Sequence, residues 1–408
     1  MVVHQFHRLV NVCRAFNLHR FSQKHALLYT GLLLLIAVVG FAYLLLFPAL
    51  VVFGLMQLSQ IAANSILPDT YMSSLFWYAL VVFSIGISYH IFTIQFALPK
   101  GFALEHNKTT AKLFGVARPQ GKGCLYPCIN KIILSDQCEF ELVKHPVSGI
   151  PFWTNNVLVV GFGFMQSLPP NYFNSAVIEK LLQFSKRKHP LINWLSQLGD
   201  IWQRYPLAFK QRNKLGDKFI YWFFNYYSTL YLKFSVHLTN KAEMLADSLA
   251  LQYVNDLDLA ETIEAQMVLR QFFSHTYWPT LNHLIKRNRV DPNEIRPFSA
   301  LPAAIQKALT REKIVTMLKE IYANPASINS SRLTLQARME NIGHSRVRVP
   351  TLSGVNSAEY YFEHDYEEVV RLMDSYWAHN VIEASRGTKS NTHKPLQEAS
   401  VNIALASN

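Results

Sequence analysis

The residues able to do chemistry concentrate in two segments, Asn174 to His189 (NSAVIEKLLQFSKRKH) and Asn240 to Ala250 (NKAEMLADSLA). The second offers Glu243, with Ala246 and Asp247 after it. A carboxylate on one helix can complete a hydrolytic zinc site. A neighbouring helix must then bring two histidines four residues apart, with a glutamate after the first to activate the metal-bound water. The four-residue gap puts both imidazoles on one helix face. In the first segment the only histidine is His189, and it has no partner at that spacing.

Other candidate ligands are scattered. His106, His145, His237, His275, His283, His344 and His364 form no pair at ligand spacing. Single histidines are more often surface or satisfied core groups. Cys124 and Cys128 are separated by three residues, with Cys138 and His145 beyond them, and together they could form a zinc knuckle. Pro127 intervenes and Cys138 falls beside a strand, which favours ordinary buried thiols. Four cysteines in 408 residues are no disulfide scaffold, and reduced thiols in a cytosolic setting are the default.

Half of the residues are hydrophobic and 16% are charged, which excludes a disordered chain and allows a membrane anchor plus one large domain. The net charge of +12 suits anionic lipid head groups. Nucleic acid is the other usual partner of a basic protein, but here the basic residues are scattered. Met1 to His25 carries Arg8, Arg14, Arg20 and Lys24 and no acid, and Ala26 to Pro68 carries no charge. Ala26 to Phe47 alone can cross a bilayer core, which takes roughly 20 apolar residues. Pro48 is expected to kink the helix, and a second uncharged run covers Tyr71 to Pro99. Positive charge flanks both outer ends of the pair, so both termini are expected in the cytoplasm. The first run is too long for a signal-peptide core. His90, inside the second run, is expected to reach the interface.

The elements that must position the chemistry follow. Ala103 to Val116 reads as a polar, weakly helical connector. Lys131 to Ser135, Glu139 to Lys144 and Asn156 to Phe164 read as strands, being β-branched or aromatic and bounded by turn residues. Pro169-Pro170-Asn171 is expected to break the chain before a helix from about Ser175 to Lys188. Leu191 to Leu198 reads as helix. Phe219 to Leu232 is densely aromatic and too short to span, so a buried or interface-lying helix is expected there, running on into the Glu243 helix. Its Trp222 region reads as core rather than a ligand groove. Leu257 to Ala323, broken at Arg289 to Pro297, reads as helical, as do Ser330 to Ile342 and Ala358 to His379. Ser385 to Asn408 reads as a disordered tail.

This order resembles the membrane-anchored zinc metallopeptidases of the HtpX-like and CAAX prenyl protease type, over about residues 100 to 385. CEFELVKHPV (138–147) is similar to that family's edge-strand segment. Residues 156–189 resemble its strand, turn and active-site helix, and NKAEMLADSLA resembles the helix of the third ligand. SRLTLQARMENIG (331–343) resembles its Thr-His-Pro-x-Leu-x-x-Arg-Leu-x-x-x-Gly segment. The resemblance implies an α+β, mostly helical fold with an N-terminal two-helix transmembrane hairpin. A zincin-like metallopeptidase domain with a small β-sheet follows. The expected division is a basic cytoplasmic N-terminus (1–25), two transmembrane helices (26–99), a metallopeptidase-like domain (100–384) and the tail (385–408).

In the register set by Ala176 and Val177, the family's first histidine maps to Lys180, its catalytic glutamate to Leu181, and its second histidine to Phe184. The histidine of the C-terminal segment maps to Arg332. Glu243 and Asp247 keep the third-ligand position and the aspartate after it. An ammonium, a phenyl ring and an isobutyl group offer a metal no lone pair, and one carboxylate does not hold zinc against water. Without metal and glutamate nothing generates hydroxide at neutral pH. The expectation is therefore a pseudo-peptidase in the bacterial inner membrane. The zinc expected of the family is lost and no cofactor replaces it. Its expected partners are the lipid bilayer, unfolded or membrane polypeptides, or an active partner peptidase, and no nucleic acid. The alternatives are an active zinc metalloendopeptidase of membrane protein quality control with a non-standard ligand set, and a plain scaffold. Lys180 could place its ammonium against Glu243 where the family has a dication. Glu243→Ala would then lose ~3–5 kcal/mol, the usual range for breaking a buried pair. Otherwise both residues are solvated.

Overall fold

The computed structural model describes residues 25–64, 70–105, 110–117, 128–137, 140–184, 190–212, 214, 216–288, 290–323, 333–344, 347–352 and 354–387. The elements run in the order α1 (Ala26–Asn64), α2 (Thr70–Phe92), β1 (Phe102–Leu104), α3 (Ala111–Ala117), β2 (Lys131–Ser135), β3 (Phe140–Pro146) and β4 (Thr154–Gly161). Then come α4 (Phe162–Ser167), α5 (Pro170–Gln183), α6 (Pro190–Arg212), α7 (Asp217–Ala250) and α8 (Asp256–Phe272). Last are α9 (Trp278–Asn288), α10 (Pro297–Ala308), α11 (Arg311–Ala323), α12 (Leu335–Asn341), α13 (Ser357–Phe362) and α14 (Tyr366–Gly387). The chain is mostly helical, with a small mixed sheet and two N-terminal helices long and apolar enough to cross a membrane. It forms two compact units. The first holds Met1–Leu98, Lys144–Asn155 and His189–Lys241, and the second holds Pro99–Val143, Asn156–Lys188 and Ala242–Asn408.

In the first unit, α1 runs unbroken for 39 residues with Pro48 inside it. At 1.5 Å per residue that is about 58 Å, nearly twice a bilayer core. Its buried positions Tyr29, Leu33, Ala37, Gly40, Leu44 and Phe47 recur at three- and four-residue steps, so one stripe of α1 faces protein. That stripe packs on α6 and the aromatic part of α7. Tyr227 donates to Ile36 O at 2.8 Å, Tyr29 donates to Phe234 O, and Tyr43 stacks on Phe223 at 3.7 Å. At Gly40 the helices come so close that a Cβ would lie 2.5 Å from the Tyr227 hydroxyl oxygen. The other faces of α1 and α2 expose large apolar side chains such as Leu35, Val52, Phe83 and Tyr89.

In the second unit the sheet order is β1-β2-β4-β3, with β1 antiparallel to β2 and β2 parallel to β4. Ile132 to Leu134 and Val157 to Val160 are buried at every position, as expected of central strands covered on both faces. The alternate residues Ile132, Leu134, Leu158 and Val160 join the large core formed with α5, α8, α10 and α14.

Several expectations need correction. The stretch Asn156 to Val160 lies in β4, an interior strand with no free edge to add a peptide; among the described residues β1 and β3 are the edges. The expected strand through Phe164 ends at Gly161, and Phe162 opens α4. All six α4 residues are buried, and the short apolar run from Val157 to Met165 has no period to distinguish strand from helix. The connector from Ala103 to Val116 begins as strand β1. The Pro169-Pro170 pair starts α5 rather than breaking the chain before it, because proline at the first helical turn loses no hydrogen bond. That helix ends at Gln183, and residues 185–189 lie outside the described ones. The expected helix from Leu191 to Leu198 extends to Arg212. The expected helix from Ala358 to His379 is two, separated at Glu363, which has a φ of +47°. Phe219 to Leu232 does run on into the Glu243 segment, as one 34-residue helix. Beyond residue 387 the expected tail lies outside the described residues, as do residues 1–24.

Candidate functional site: a buried charge cluster

Within the second unit, α5, α12 and the last turns of α7 bring five charged side chains together. Helix α5 has a buried face that includes Tyr172, Ala176, Glu179 and Leu182, so the acid at 179 stands on the apolar stripe. Lys180 follows it, 15% exposed. Helix α7 supplies Glu243, 19% exposed, and Asp247, which is fully buried. Helix α12 supplies Arg338. Its first turn is set by Thr334, whose Oγ1 accepts from the Ala337 amide at 3.2 Å, the usual N-cap bond. Its end is fastened to α7 by Asn341 Nδ2, which donates to Met244 O at 2.8 Å.

Arg338 is the centre. Its Nε donates to Asp247 Oδ2 at 2.8 Å and its Nη2 to Oδ1 at 2.6 Å, a two-pronged pairing that fits a planar guanidinium. Nη2 also stands 2.9 Å from Glu179 Oε1, and Nη1 stands 3.5 Å from Glu243 Oε1. Lys180 Nζ lies 3.3 Å from Glu179 Oε1 and 3.9 Å from Glu243 Oε1. Two cations thus face three carboxylates. Burial pushes the Asp247 carboxyl up to about 6, against the pull of Arg338. Burial also works against the Glu179 carboxylate, but Arg338 and Lys180 together hold its pKa below the ordinary glutamate value. Burial opposes the Arg338 charge, and the three carboxylates more than restore it, holding its pKa well above the usual value.

The positions singled out from the sequence fare differently. Lys180, Glu243 and Asp247 converge. Leu181 is a fully buried core residue and Phe184 packs at the core's margin as the C-cap of α5. Arg332 lies outside the described residues, as do Cys124, Cys138 and His189. Cys128, expected to be buried, is exposed. His145 is buried, with its ring edge-on to Phe96. The reading missed Glu179 and Arg338. Both had a signal: a lone acid on the buried stripe of α5, and the arginine of the segment 331–343 at the position where the resembled family also has one.

Zinc, which the resemblance implies, does not fit this donor set. Asp247 has both oxygens engaged by Arg338, and the Glu243 carboxylate faces an ammonium and a guanidinium. Among the described residues no group of three or more His, Cys, Asp or Glu side chains is placed to hold a metal ion.

A second network lies in the first unit. Asp217, 1% exposed, accepts from Arg212 Nε at 3.0 and 3.2 Å and Nη2 at 2.5 Å, and from the Lys214 amide at 3.0 Å. His90 Nδ1 stands 2.9 Å from the same carboxylate. Burial raises the Asp217 pKa, but the Arg212 and Lys214 bonds outweigh it and leave it below the usual value. His90 therefore lies inside a polar network at the end of α2.

No family model matches the chain, and neither a curated relative nor a solved structure does.

Proposed function

We propose that the chain is a membrane-anchored protein with a zincin-like domain of the HtpX-like and CAAX prenyl protease type that binds polypeptide without hydrolysing it. The observation that supports this is the Arg338 guanidinium set between Asp247 and Glu179 at 2.6 and 2.9 Å, with Lys180 beside it. In a hydrolytic zinc site the equivalent charge is a dication that also activates water. A guanidinium neutralises carboxylates but has no coordination position for water and no titration near neutral pH. The fixed cations turn a catalytic arrangement into a structural one. The positive flanks of the two apolar helices support a reading with both termini on the cytoplasmic side of a bacterial inner membrane. Strand β3, at the sheet edge, is the element to which an extended polypeptide or a partner protein adds by backbone hydrogen bonds.

The test uses full-length protein in detergent with a fluorescent unfolded polypeptide. Saturable binding with no cleavage over hours supports the reading. It is wrong if the polypeptide is cleaved and a chelator stops the cleavage.

A further inference from the structure

The large exposed apolar side chains are unevenly shared. The second unit exposes a scatter, such as Tyr253, Leu284 and Tyr360. The first unit exposes them outside its two membrane-length helices as well, on α6 and α7. At the start of α7, Phe219, Trp222 and Tyr226 point outward at three- and four-residue steps, 64, 52 and 39% exposed. Further along α7 the outward positions are Thr229 and Lys233, so the aromatic stripe is confined to the turns beside the α6–α7 connection. On the other side of that connection Leu207 is exposed too. Between them stand the exposed Lys210, Lys214 and Lys218.

The network around Asp217 fixes where this patch lies relative to α2. Arg212 Nη2 donates to His90 O at 2.8 Å and Nη1 donates to Thr93 Oγ1 at 3.3 Å, so the connection is tied to the C-terminal end of α2. Gly216 comes so near that a Cβ there would lie 3.0 Å from the His90 ring. Phe219 sits edge-on to Phe83 of α2, 6.5 Å between ring centres, which makes the aromatic stripe continuous with the outer apolar face of α2. Aromatic rings with lysines around them, at the end of a membrane-length helix, have the composition of a membrane–water boundary.

We infer that the α6–α7 connection is a docking surface for anionic phospholipid. Phe219 and Trp222 enter the acyl boundary, and Lys210, Lys214 and Lys218 contact phosphate-bearing head groups. This rests on the membrane reading of α1 and α2 given above. The internal Arg212–Asp217–His90 network leaves the three lysines, rather than the arginine, for the head groups, and cations near an anionic surface are drawn to it within a Debye length.

The experiment places single nitroxide labels on the full chain, with its four cysteines replaced by serine, in vesicles of phosphatidylcholine with or without phosphatidylglycerol. Trp222→Cys reports the patch, Leu55→Cys the exposed face of α1, and Glu312→Cys on exposed α11 the water phase. The expected result is that labels at 222 and 55 collide severalfold more with oxygen than with a water-soluble nickel chelate, and the label at 312 the reverse. Phosphatidylglycerol is expected to deepen the label at 222, and Lys210→Gln with Lys214→Gln and Lys218→Gln to abolish that dependence. Inorganic phosphate in its place is expected to change nothing. A label at 222 that behaves like the one at 312, while 55 remains in lipid, overturns the inference and leaves the membrane anchor standing. Water exposure at both 222 and 55 overturns the anchor and the inference with it. Loss of the lipid dependence with phosphate alone would identify an anion site instead of a lipid surface.

Discussion

Arg338 and Asp247 are joined by two hydrogen bonds, 2.8 and 2.6 Å, between side chains 6% and 0% exposed on helices nearly a hundred positions apart in sequence. The same guanidinium reaches two further carboxylates, so α5, α7 and α12 meet on one cation. Removing it leaves three carboxylates with a single partly exposed ammonium.

Arg338→Ala is expected to destabilise the protein by ~3–5 kcal/mol, the range for a buried pair broken from one side. Denaturant unfolding in detergent measures it. Arg338→Lys recovers little, because a point ammonium does not reproduce the two-pronged bond to Asp247. Loss below about 1 kcal/mol would mean that the cluster is open to water in solution.

Glu243→Ala is expected to be the milder change. Its carboxylate is the most exposed of the three and its contacts are the longest, 3.5 and 3.9 Å. A fully buried Lys180–Glu243 pair would lose ~3–5 kcal/mol when broken from one side. The geometry moves that loss to Arg338 and leaves about 1 kcal/mol here, as for a pair near the surface. Parallel melting of the two variants separates them.

Stability is expected to fall as pH rises from about 5 to about 8. Glu264, on α8, is fully buried, accepts from Tyr322 at 3.1 Å and from the Arg348 amide at 3.1 and 3.2 Å, and has Glu261 as a neighbour. Burial pushes its carboxyl up to about 7. A raised carboxyl pKa means that the folded state holds the proton longer than the unfolded state. The associated stability is complete below about pH 4.5 and is lost as pH rises through about 7. Asp247 acts in the same sense up to about 6. Glu264→Gln, which keeps the shape and the acceptor oxygen, is expected to remove most of the slope above about pH 6, at most about 3 kcal/mol. An unchanged melting profile in the variant would assign the slope elsewhere.

Gly40→Leu is expected to loosen the first unit, since the added side chain must displace the Tyr227 ring. Overpacking of this kind usually loses about 1–3 kcal/mol. Amide exchange along 219–238 reads it locally and is expected to quicken, with exchange in 335–341 unchanged.

How much of this was legible in the sequence can be judged from particular residues. The two apolar runs and the continuous aromatic helix were legible because composition alone decides them. Glu243 and Asp247 were legible from their segment. Leu181 and Phe184 were read as catalytic positions of the resembled family; the structure shows Leu181 buried in the core and Phe184 packed at its margin. Arg338 was harder to see, since apart from its place in the resembled segment nothing local distinguishes a buried arginine from a surface one. Only the fold brings it to α5 and α7. The strand boundary at Gly161 and the early start of α5 at Pro170 failed for a related reason. Each rests on burial and on helix-end geometry that a linear pattern does not carry.

The most direct measurement is the zinc content of the full-length protein purified in detergent without chelator, together with its Glu243→Gln variant. If Arg338 and Lys180 have taken the place of a metal, neither sample contains stoichiometric zinc. About one zinc per chain in the parent, lost in Glu243→Gln, would contradict the pseudo-peptidase and restore a hydrolytic site.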